Sequence, residues 1–578
     1  MKVCTSRLAA LLAIILPCCA LAQGAPIPSN PGAAIEAIRR AADPSLGPLG
    51  PSPQIAVTSQ TPPANAAEIS FTLTSVTLAG GTIYAPAALA PLYADSVGQV
   101  ITVEDLFVIA ARLQAQYRDD GYLFTRVLVP AQEIDSGAVR FELVEAVIEE
   151  VLIEEPAGPI GAVRALVERI VAPLIGLANP RLADIEAVLL RLNDIPGVIR
   201  AAAVPKLGGD TRGGIKLYVN MERNTLDVVA FVDNRQSPII GTGLFGAVAS
   251  WNSWTEAGDT TTLSIFGSGD FDDAFPRDFQ ERWTGQLEHS RFIGDRGLSL
   301  RLRGLYSRTR PGDSVRDFAI VGQQLELGAA LVWPLVRSRA LSIDVSGGLE
   351  VIEMDSVVPA SGGGPGLVTA DDSIRAMFAS ARLVQRDLFG VTEAEASLRA
   401  GLDFYGASRP DDAGLSRADG DGSFVLVRGQ VSRTLTHQAL APFSFWAELR
   451  GQWADRPLLS SEEFSIGGPT LSRAYDPSEY AGDNGIGATA EIRIPAGFTL
   501  YDQLIDATLY AYGDAAEVGN LGGGTPIHQS LLSAGVGVRA NLPAGFALNL
   551  EAAKPIDTPL ARTSSDAWRF FFSASKRF

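Results

Sequence analysis

The chain has 578 residues, enough for several domains, and charged residues make up only 19% of them. Its 47 Lys and Arg against 65 Asp and Glu give a formal net charge of -18, which argues against a protein that binds nucleic acid through a basic surface. The 58 glycines and the 8% of aromatic residues are compatible with a β-rich protein.

The first 22 residues have the features of a secretory signal peptide. Lys2 and Arg7 precede an apolar run from Leu8 to Leu21, and residues 20–22 read A-L-A, which is an A-x-A cleavage site. We therefore expect residues 1–22 to be removed. All three cysteines lie within the first 19 residues, so the mature chain would have neither disulfides nor thiolate metal sites.

The segment after the signal peptide is a predicted linker. Residues 23–67 are dominated by Pro, Ala, Gly and Ser. Within them, Ala33 to Ala42 can form a short helix, and the pattern leaves open whether this helix plugs a pore or belongs to a disordered leader. No later run of eighteen or more apolar residues predicts a membrane-spanning helix. The exported chain is therefore periplasmic, secreted or an outer-membrane barrel.

Two small α/β domains with the same order, β-α-α-β-β, are predicted over residues 68–146 and 147–223. In the first, the residues T-V-E-D from Thr102 predict a capping box at a helix start, and residues 138–144 alternate as the last strand. In the second, Asn179 is the predicted cap of the second helix.

Residues 224–578 predict a transmembrane β-barrel. Helical periodicity disappears, and about sixteen alternating segments of roughly ten residues follow. A soluble β-sandwich also alternates, so alternation alone leaves both architectures open. Three features favour the barrel: the polar faces carry Arg and Glu, tight turns alternate with long connections, and a strand ends the chain at Phe578. Long loops on one side and tight turns on the other are typical of outer-membrane barrels.

The segment 455–485 is the unusual connection, and we expect it to fold back into the barrel. Residues 465–485 are rich in Gly, Pro, Asp and Asn, which predicts a long loop without secondary structure, with Arg473 near its middle. In residues 508–514 the even positions share one face, so Asp514 is expected to face the lumen. An arginine can meet a carboxylate there through a bidentate contact. A solvated surface arginine is the alternative.

These features resemble the two-partner secretion transporters (TpsB), the haemolysin secretion/activation family of the POTRA-plus-barrel superfamily. Residues 98–146 resemble its first POTRA domain, with V-E-A where the family has V-E-G, and residues 147–223 resemble the second. Residues 471–475, L-S-R-A-Y, resemble the V-R-G-[YF] motif with Ala474 for glycine, and residues 512–514 resemble F-x-D. The further positions that match the loop, G-D-x-G and strand motifs are Tyr475, Gly482, Asp483, Gly485, Glu491 and Tyr512.

The resemblance implies a fold, a site and a function. The fold is a ~16-stranded antiparallel transmembrane barrel preceded by two periplasmic POTRA domains and a short N-terminal helix. In the site, Arg473 of the inward-folded loop pairs with Asp514 on the barrel wall. The function is that of an outer-membrane pore in a Gram-negative-type bacterium. It takes an unfolded TpsA-like exoprotein, in extended form, from its POTRA domains to the cell surface without nucleotide hydrolysis.

The resemblance also implies the other partners. Outer-membrane lipid surrounds the barrel, and the barrel-assembly machinery inserts it, with Phe578 as the C-terminal assembly signal. The protein is expected to be a monomer that is not an enzyme and uses no cofactor, metal or nucleic acid.

The same residues are compatible with several other functions to different degrees. Residues 241–246 match G-x-G-x-x-G, but a strand follows where a dinucleotide site needs a helix. His289, His437 and His528 lack metal-ligand spacing, although a barrel-wall hydrolase assembled in space stays open. A barrel-assembly factor would share the loop and the barrel but carry more POTRA domains. A diffusion porin would need neither the repeats nor the N-terminal segment.

Overall fold

The computed structural model describes residues 60–156, 158–208, 212–270, 281–359, 366–500, 503–522, 528–557 and 567–578. The predicted signal peptide and the predicted helix at residues 33–42 lie outside the described residues. Within the described ranges, none of the helices combines the length and the apolar character that crossing a bilayer requires.

The first unit is a small α/β domain. In chain order its elements are β1 (Ser70–Thr72), β2 (Ser75–Ala79), α1 (Pro86–Leu89), β3 (Val100–Thr102), α2 (Val103–Asp119), β4 (Arg126–Leu128) and β5 (Ala138–Val144). Strands β2, β5 and β4 form a sheet in that order, and β1 pairs separately with β3. Helix α2 buries Leu106, Leu113 and Tyr117 in a core shared with Phe141 on β5. The helix covers one face of the sheet because its apolar residues recur at helical spacing.

Local side-chain bonds fix the ends of these elements. The predicted capping box is present, since Thr102 Oγ1 accepts a hydrogen bond from Asp105 N at 3.2 Å and Asp105 Oδ2 accepts one from Thr102 N at 2.8 Å. Past β4, Pro130 has no N–H to pair with β5. The Gln132 amide takes over this pairing, because it accepts from Arg140 N at 2.7 Å and donates to Arg140 O at 2.9 Å.

Glu145 links the end of β5 to the turn after β2. Its Oε1 accepts hydrogen bonds from Thr82 N at 2.7 Å and from Ile83 N at 2.9 Å. Burial alone would raise the pKa of Glu145, but the hydrogen bonds from Thr82 and Ile83 outweigh it and lower the pKa. The glutamate therefore stays ionised and holds the turn at the junction between the two units.

The second unit repeats the order of the first. Its elements are β6 (Val147–Glu154), α3 (Arg164–Val171), α4 (Leu182–Asn193), β7 (Val198–Leu207) and β8 (Gly214–Arg223), and the sheet order is β6-β8-β7. The predicted cap at Asn179 is wrong, because the N-cap of α4 is Arg181 and Asp184 accepts from Arg181 N at 2.9 Å. Asn179 has a φ of 54°. Such left-handed backbone suits a turn, whereas an N-cap residue is extended.

The structure describes nineteen further strands, most of which belong to a closed antiparallel barrel. They are β9 (Leu226–Asp233), β10 (Gly243–Asn252), β11 (Thr260–Gly269), β12 (Arg282–Phe292), β13 (Ser299–Thr309), β14 (Val321–Arg337), β15 (Leu341–Val358), β16 (Leu367–Asp387), β17 (Gly390–Gly401), β18 (Val425–Leu435), β19 (Ser444–Ala454), β20 (Phe464–Ile466), β21 (Tyr480–Gly482), β22 (Asn484–Pro495), β23 (Phe498–Leu500), β24 (Gln503–Gly519), β25 (His528–Leu542), β26 (Phe546–Pro555) and β27 (Arg569–Arg577). The wall has sixteen long strands, which are these without β20, β21 and the three-residue β23. β27 pairs with β9 and closes the sheet. The predicted number of about sixteen strands is therefore confirmed.

The two faces of the barrel wall differ as a lipid-facing barrel requires. On β22, Ile486 and Ile492 are 54% and 46% exposed on the outside, whereas Thr489 and Glu491 are 4% and 3% exposed on the inside. Outward tryptophans and leucines continue this apolar surface around the other strands. Because one sheet closes on itself, the sandwich alternative is excluded. The G-x-G-x-x-G residues 241–246 run into β10, as the alternation predicts.

The second unit contacts the end of the barrel that has the tight turns. Arg337, at the end of β14, pairs with Asp194 at 2.9 Å, and Arg339 in the following turn pairs with Glu186 on α4 at 2.5 Å. The long connections lie at the other end. These two ion pairs therefore place the α/β units at the opposite end from the base of the 455–485 segment.

Candidate functional site: a loop folded into the barrel

Segment 455–485 follows β19 and ends in the first two residues of β22. It is packed inside the barrel, and we call it the inward loop. Six of its apolar or aromatic side chains are at most 2% exposed: Leu458, Leu459, Ile466, Leu471, Ala474 and Tyr475. Within the inward loop, β20 and β21 pair antiparallel, so the prediction of a loop without secondary structure was wrong. The backbone is irregular over residues 455–463, before the ribbon, and over residues 467–479, at its tip.

Arg473 lies at that tip and is bound to Asp514 on β24. Arg473 Nη2 donates to Asp514 Oδ1 at 3.1 Å, while Nε donates to Oδ2 at 3.2 Å. The backbone N–H of Arg473 also donates to Asp514 Oδ2, at 2.9 Å. Arg473 is 6% exposed and Asp514 is 1% exposed. The pair therefore has the bidentate, charge-assisted geometry in which guanidinium and carboxylate bind most strongly.

Two further wall carboxylates and an aromatic ring surround the guanidinium. Arg473 Nη1 donates to Glu491 Oε1 at 2.7 Å, and the guanidinium carbon lies 3.4 Å from the ring centroid of Tyr512. The hydroxyls of Tyr512 and Tyr510 donate to Glu551 at 2.9 and 2.7 Å. Glu551 itself lies 3.9 Å from Arg473. The tyrosines thus orient the third carboxylate toward the loop arginine.

Wall arginines balance these carboxylates. Glu491 also accepts from Arg493 at 2.7 Å and from Arg539 at 3.0 Å, and Glu551 pairs with Arg235 at 3.0 Å. The cluster therefore holds the carboxylates of residues 491, 514 and 551 and four arginines, including the loop arginine. Each buried carboxylate has at least one cation beside it, which offsets the cost of removing its charge from water.

The two residues after Arg473 also fit closely. Tyr475 is 1% exposed, and its single hydroxyl hydrogen is shared between the backbone carbonyls of Leu532 and Asp557, at 3.0 and 2.8 Å. Ala474 occupies the family's glycine position without strain, because left-handed backbone falls on Ser472, with a φ of 57°, instead. Both residues therefore add close packing and hydrogen bonding at the tip to the charged contacts of Arg473.

The G-D-x-G residues close the base of the inward loop. Asp483 is fully buried, and its carboxylate accepts from Arg417 Nη1 at 2.6 Å and from the backbone N–H groups of Leu458 and Leu521 at 2.7 and 2.6 Å. A Cβ on Gly485 would come within 2.3 Å of the Phe464 ring. This glycine is therefore needed because the ribbon packs directly against the wall.

Glycines at both ends of that motif allow close approach. A Cβ on Gly482 would lie 2.8 Å from Asn520 Oδ1 and 2.9 Å from the carbonyl of Gly519 on β24. A third glycine, Gly487, was not singled out from the sequence, yet a Cβ there would meet Leu471 at 2.3 Å. Its lumen-facing parity on β22, two residues after Gly485, was the signal that could have found it.

The structure brings together most of the predicted site residues, and Phe578 stands apart. Arg473, Tyr512, Asp514 and Glu491 meet at one point on the wall, with Asp483 at the loop base. Phe578 is 71% exposed beside β9, where its N–H donates to the carbonyl of Val228 at 2.9 Å. Its role as an assembly signal stays a prediction.

Comparison with known proteins agrees with this architecture. Residues 71–146 match the POTRA domain of ShlB type, and residues 218–540 match the haemolysin secretion/activation protein family ShlB/FhaC/HecB. The heme/hemopexin transporter protein HuxB of Haemophilus influenzae (strain 86-028NP) is 21% identical over 508 residues, which cover 85% of this chain and 84% of that protein.

Two solved structures have the same fold. CdiB from Escherichia coli superposes with a TM-score of 0.68 at 17% identity, covering 95% of this chain and 97% of that one. CdiB from Acinetobacter baumannii gives a TM-score of 0.62 at 16% identity, covering 94% and 97%. The family matches over residues 71–146 and 218–540 place the barrel in the outer membrane and the POTRA region in the periplasm. Since the match over residues 218–540 spans more than half of the sequence, the chain belongs to the haemolysin secretion/activation protein family ShlB/FhaC/HecB.

Proposed function

We propose that this outer-membrane pore of two-partner secretion rests with its lumen closed by the inward loop. An extended exoprotein passes when the inward loop leaves its contacts with the wall. The observation that carries the proposal is the burial of Arg473 against Asp514, which are 6% and 1% exposed inside the barrel. An arginine on an ordinary surface loop would keep its charge in water.

The energetics of the cluster suit a gate. Removing one member of a buried ion pair costs about 3–5 kcal/mol, because the other charge stays buried without a partner. When the whole inward loop leaves, the arginine and the carboxylates both meet lumen water and regain hydration. The net cost of opening is therefore far smaller than the sum of the contacts, and a partner that binds the open state better can supply it.

The two α/β units offer the partner different sheet edges. On the free edge of β4, Val127 N bonds to the Gln114 side chain at 3.3 Å, and Val129 N bonds to Gln60 Oε1 at 2.9 Å. Gln60 Nε2 also donates to the carbonyl of Val129, at 3.3 Å. Side-chain amides thus occupy the positions that an added strand would need in the first unit.

On the free edge of β7, in the second unit, side-chain amides occupy fewer of the backbone positions. Pro205 has no N–H, so its backbone nitrogen must lie on the side of β7 that does not pair with β8. The neighbouring odd-numbered residues therefore direct their backbone N–H groups toward the same free edge. Ala201 N bonds to the Asn193 side chain at 2.9 Å, but Ala203 N has no partner among the described residues. An extended exoprotein segment would add to this edge through backbone hydrogen bonds, which suits an unfolded partner of variable sequence.

The remaining partners follow from the same geometry. The outward apolar band is the surface for outer-membrane lipid, and one chain closes the barrel through β27 and β9, which favours a monomer. The barrel-assembly machinery would insert the chain through its last strand. Translocation would proceed without nucleotide hydrolysis or other catalysis, with folding of the partner outside the cell providing the direction.

The first experiment tests the gate with Arg473→Ala. We expect the barrel to assemble, as judged by heat-dependent migration on gels. Secretion of the co-expressed exoprotein should fall at least ten-fold, because an inward loop that has lost this wall contact opens at random and no longer in response to the exoprotein. Arg382→Ala is the matched control, because Arg382 is a wall arginine whose partner, Glu393, lies 3.7 Å away on the next strand. Unchanged secretion from an assembled Arg473→Ala barrel would defeat the proposal. Loss of many outer-membrane proteins on depletion would instead favour the barrel-assembly alternative.

The second experiment tests the receiving edge with Ala203→Pro. Proline removes the outward N–H of β7, so we expect weaker capture of the exoprotein by the full-length transporter, by about ten-fold in affinity. Ala203→Ser keeps the N–H and should bind as the unaltered chain does. Equal affinity of the proline and serine variants would rule out this edge as the docking strand.

A further inference from the structure

Another buried charge of the inward loop is Glu462, which lies just before β20 and is 2% exposed. Its Oε1 accepts from Arg399 Nε at 3.0 Å, and its Oε2 accepts from Arg428 Nη2 at 3.2 Å. Its backbone carbonyl accepts from Arg428 Nη2 at 3.0 Å and from Gln452 Nε2 at 2.9 Å. One loop residue is therefore bound to β17, β18 and β19, on the other side of β19 from the Arg473 cluster.

The wall around Glu462 lacks one negative charge. A connected patch of wall residues surrounds the carboxylate: Arg303, Glu326, Glu350, Arg399 and Arg428. This patch has three arginines and two glutamates, so Glu462 brings it to neutrality. Without the inward loop, this patch would have one excess arginine charge with no counter-charge, in a half-buried position. The wall itself therefore favours an anion at this position.

We propose that Glu462 is a second anchor of the inward loop, and that the lumen opens only when Glu462 and Arg473 have both left the wall. This inference rests on the proposed gating function. The two residues hold the inward loop at two separated points of the wall, on β17 and β18 at one point and on β22 and β24 at the other. Release at one point frees only the adjoining part, while the other part still crosses the lumen.

The test uses the purified full-length protein in planar lipid bilayers, without exoprotein. Its readout is the frequency of opening to the high-conductance state. Glu462→Gln keeps the side-chain shape but removes the charge from three hydrogen bonds or ion pairs, so we expect opening to rise on the order of ten-fold. Arg473→Ala should raise opening as well. The double variant should show about the product of the two single effects, because separated anchors contribute independently.

Glu448→Gln is the matched control. Glu448 also faces the lumen, but it pairs with Arg450 on its own strand, at 2.8 Å. We expect this variant to open no more often than the unaltered chain, and heat-dependent gel migration confirms that each barrel is folded. A folded Glu462→Gln barrel that opens no more often than Glu448→Gln overturns the second anchor.

The two proposals fail separately in this experiment. If Arg473→Ala raises opening and Glu462→Gln does not, the gate stands and the second anchor is wrong. If Glu462→Gln raises opening and Arg473→Ala does not, the carboxylate is an anchor and the role given to Arg473 is wrong. If neither variant raises opening, both proposals are overturned.

Discussion

The two anchoring points of the inward loop are built from opposite chemistry. At Arg473 the inward loop supplies a cation to wall carboxylates, whereas at Glu462 it supplies an anion to wall arginines. The Arg473 side chain is 7% exposed and its partner Asp514 is fully buried. Beside Glu462, the Arg399 side chain is 10% exposed, but the Arg428 side chain is 39% exposed. Solvent screens the second point more strongly. We therefore expect the Glu462 contact to break at lower cost and to release first.

Opposite charges also fix the placement of the inward loop. If it slid along the wall until Arg473 reached Arg399 and Arg428, three cations would meet in a half-buried site. Like charges brought together in this way disfavour the wrong register, which is a form of specificity that attractive contacts alone do not give. The following predictions separate the contributions of the two points.

The largest effect is expected from a covalent lock near Arg473. Leu471 Cγ lies 3.0 Å from the position that a Cβ on Gly487 would take, so cysteines at these two positions can form a disulfide. The chain's own cysteines are confined to its first 19 residues. We expect Leu471→Cys with Gly487→Cys to abolish secretion when oxidised and to recover it when a reductant is added, measured as exoprotein in the medium.

The same variant in its reduced form and Leu471→Cys alone are the controls. Both should secrete, since neither links the tip to β22. Normal secretion by a chain that gel mobility shows to be fully oxidised would mean that the Arg473 point does not have to move. Only the part of the inward loop near Glu462 would then open the pore.

A smaller effect is expected from Gly487→Ala, which disturbs the Arg473 point alone. The added methyl would lie 2.3 Å from a methyl of Leu471, which is 2% exposed and has little room to move. Overpacking of this kind costs about 1–3 kcal/mol. We expect the tip to lose its fit and the opening frequency in bilayers to rise by roughly ten-fold.

Gly513→Ala is the control for this change. It also replaces a wall glycine by alanine, but its Cβ would meet nothing within 4 Å. Opening should stay as in the unaltered chain. Equal opening of the two variants would show that the tip tolerates the methyl, and the tight packing of Leu471 on β22 would lose its importance.

The alternation of polar and apolar residues along the strands made the wall partners of Arg473 predictable, but it gave no sign of the Glu462 contact. The period of two along β22 and β24 places Glu491 and Asp514 on the lumen face, whatever the register of the barrel. No such period exists between β19 and β20, so nothing local assigns Glu462 to the wall. Its partners, Arg399 and Arg428, are distant in sequence and meet it only through the closed sheet.

The two short strands of the inward loop could not be predicted from the sequence for a related reason. The strands β20 and β21 have three residues each, which is too few for a hydrophobic period to be read. Gly, Pro and Asp around them predict turns, and the ribbon forms because Phe464 and Ile466 pack against β22 and β24 of the barrel wall. Tertiary packing, and not local composition, therefore determines that these residues form strands.

The smallest effect is expected from Arg417→Ala, which loosens the inward loop at its base. Arg417, in the connection between β17 and β18, donates to Asp483 at 2.6 Å and pairs with Glu463 at 3.2 Å, next to the Glu462 anchor. Asp483 would keep its hydrogen bonds from the backbone of Leu458 and Leu521. Its charge would thus stay partly satisfied, and we expect opening to rise only about three-fold.

Arg409→Ala tests the same connection without touching the inward loop. Arg409 pairs with Asp403 at 2.8 Å, and its side chain is 67% exposed, so its loss should change nothing measurable. If Arg417→Ala raised opening more than Gly487→Ala does, the expected ranking of the two points would be reversed. The connection between β17 and β18 would then contribute most to holding the inward loop in place. Because that connection binds the loop next to Glu462, the Glu462 contact would break last and release would begin at Arg473.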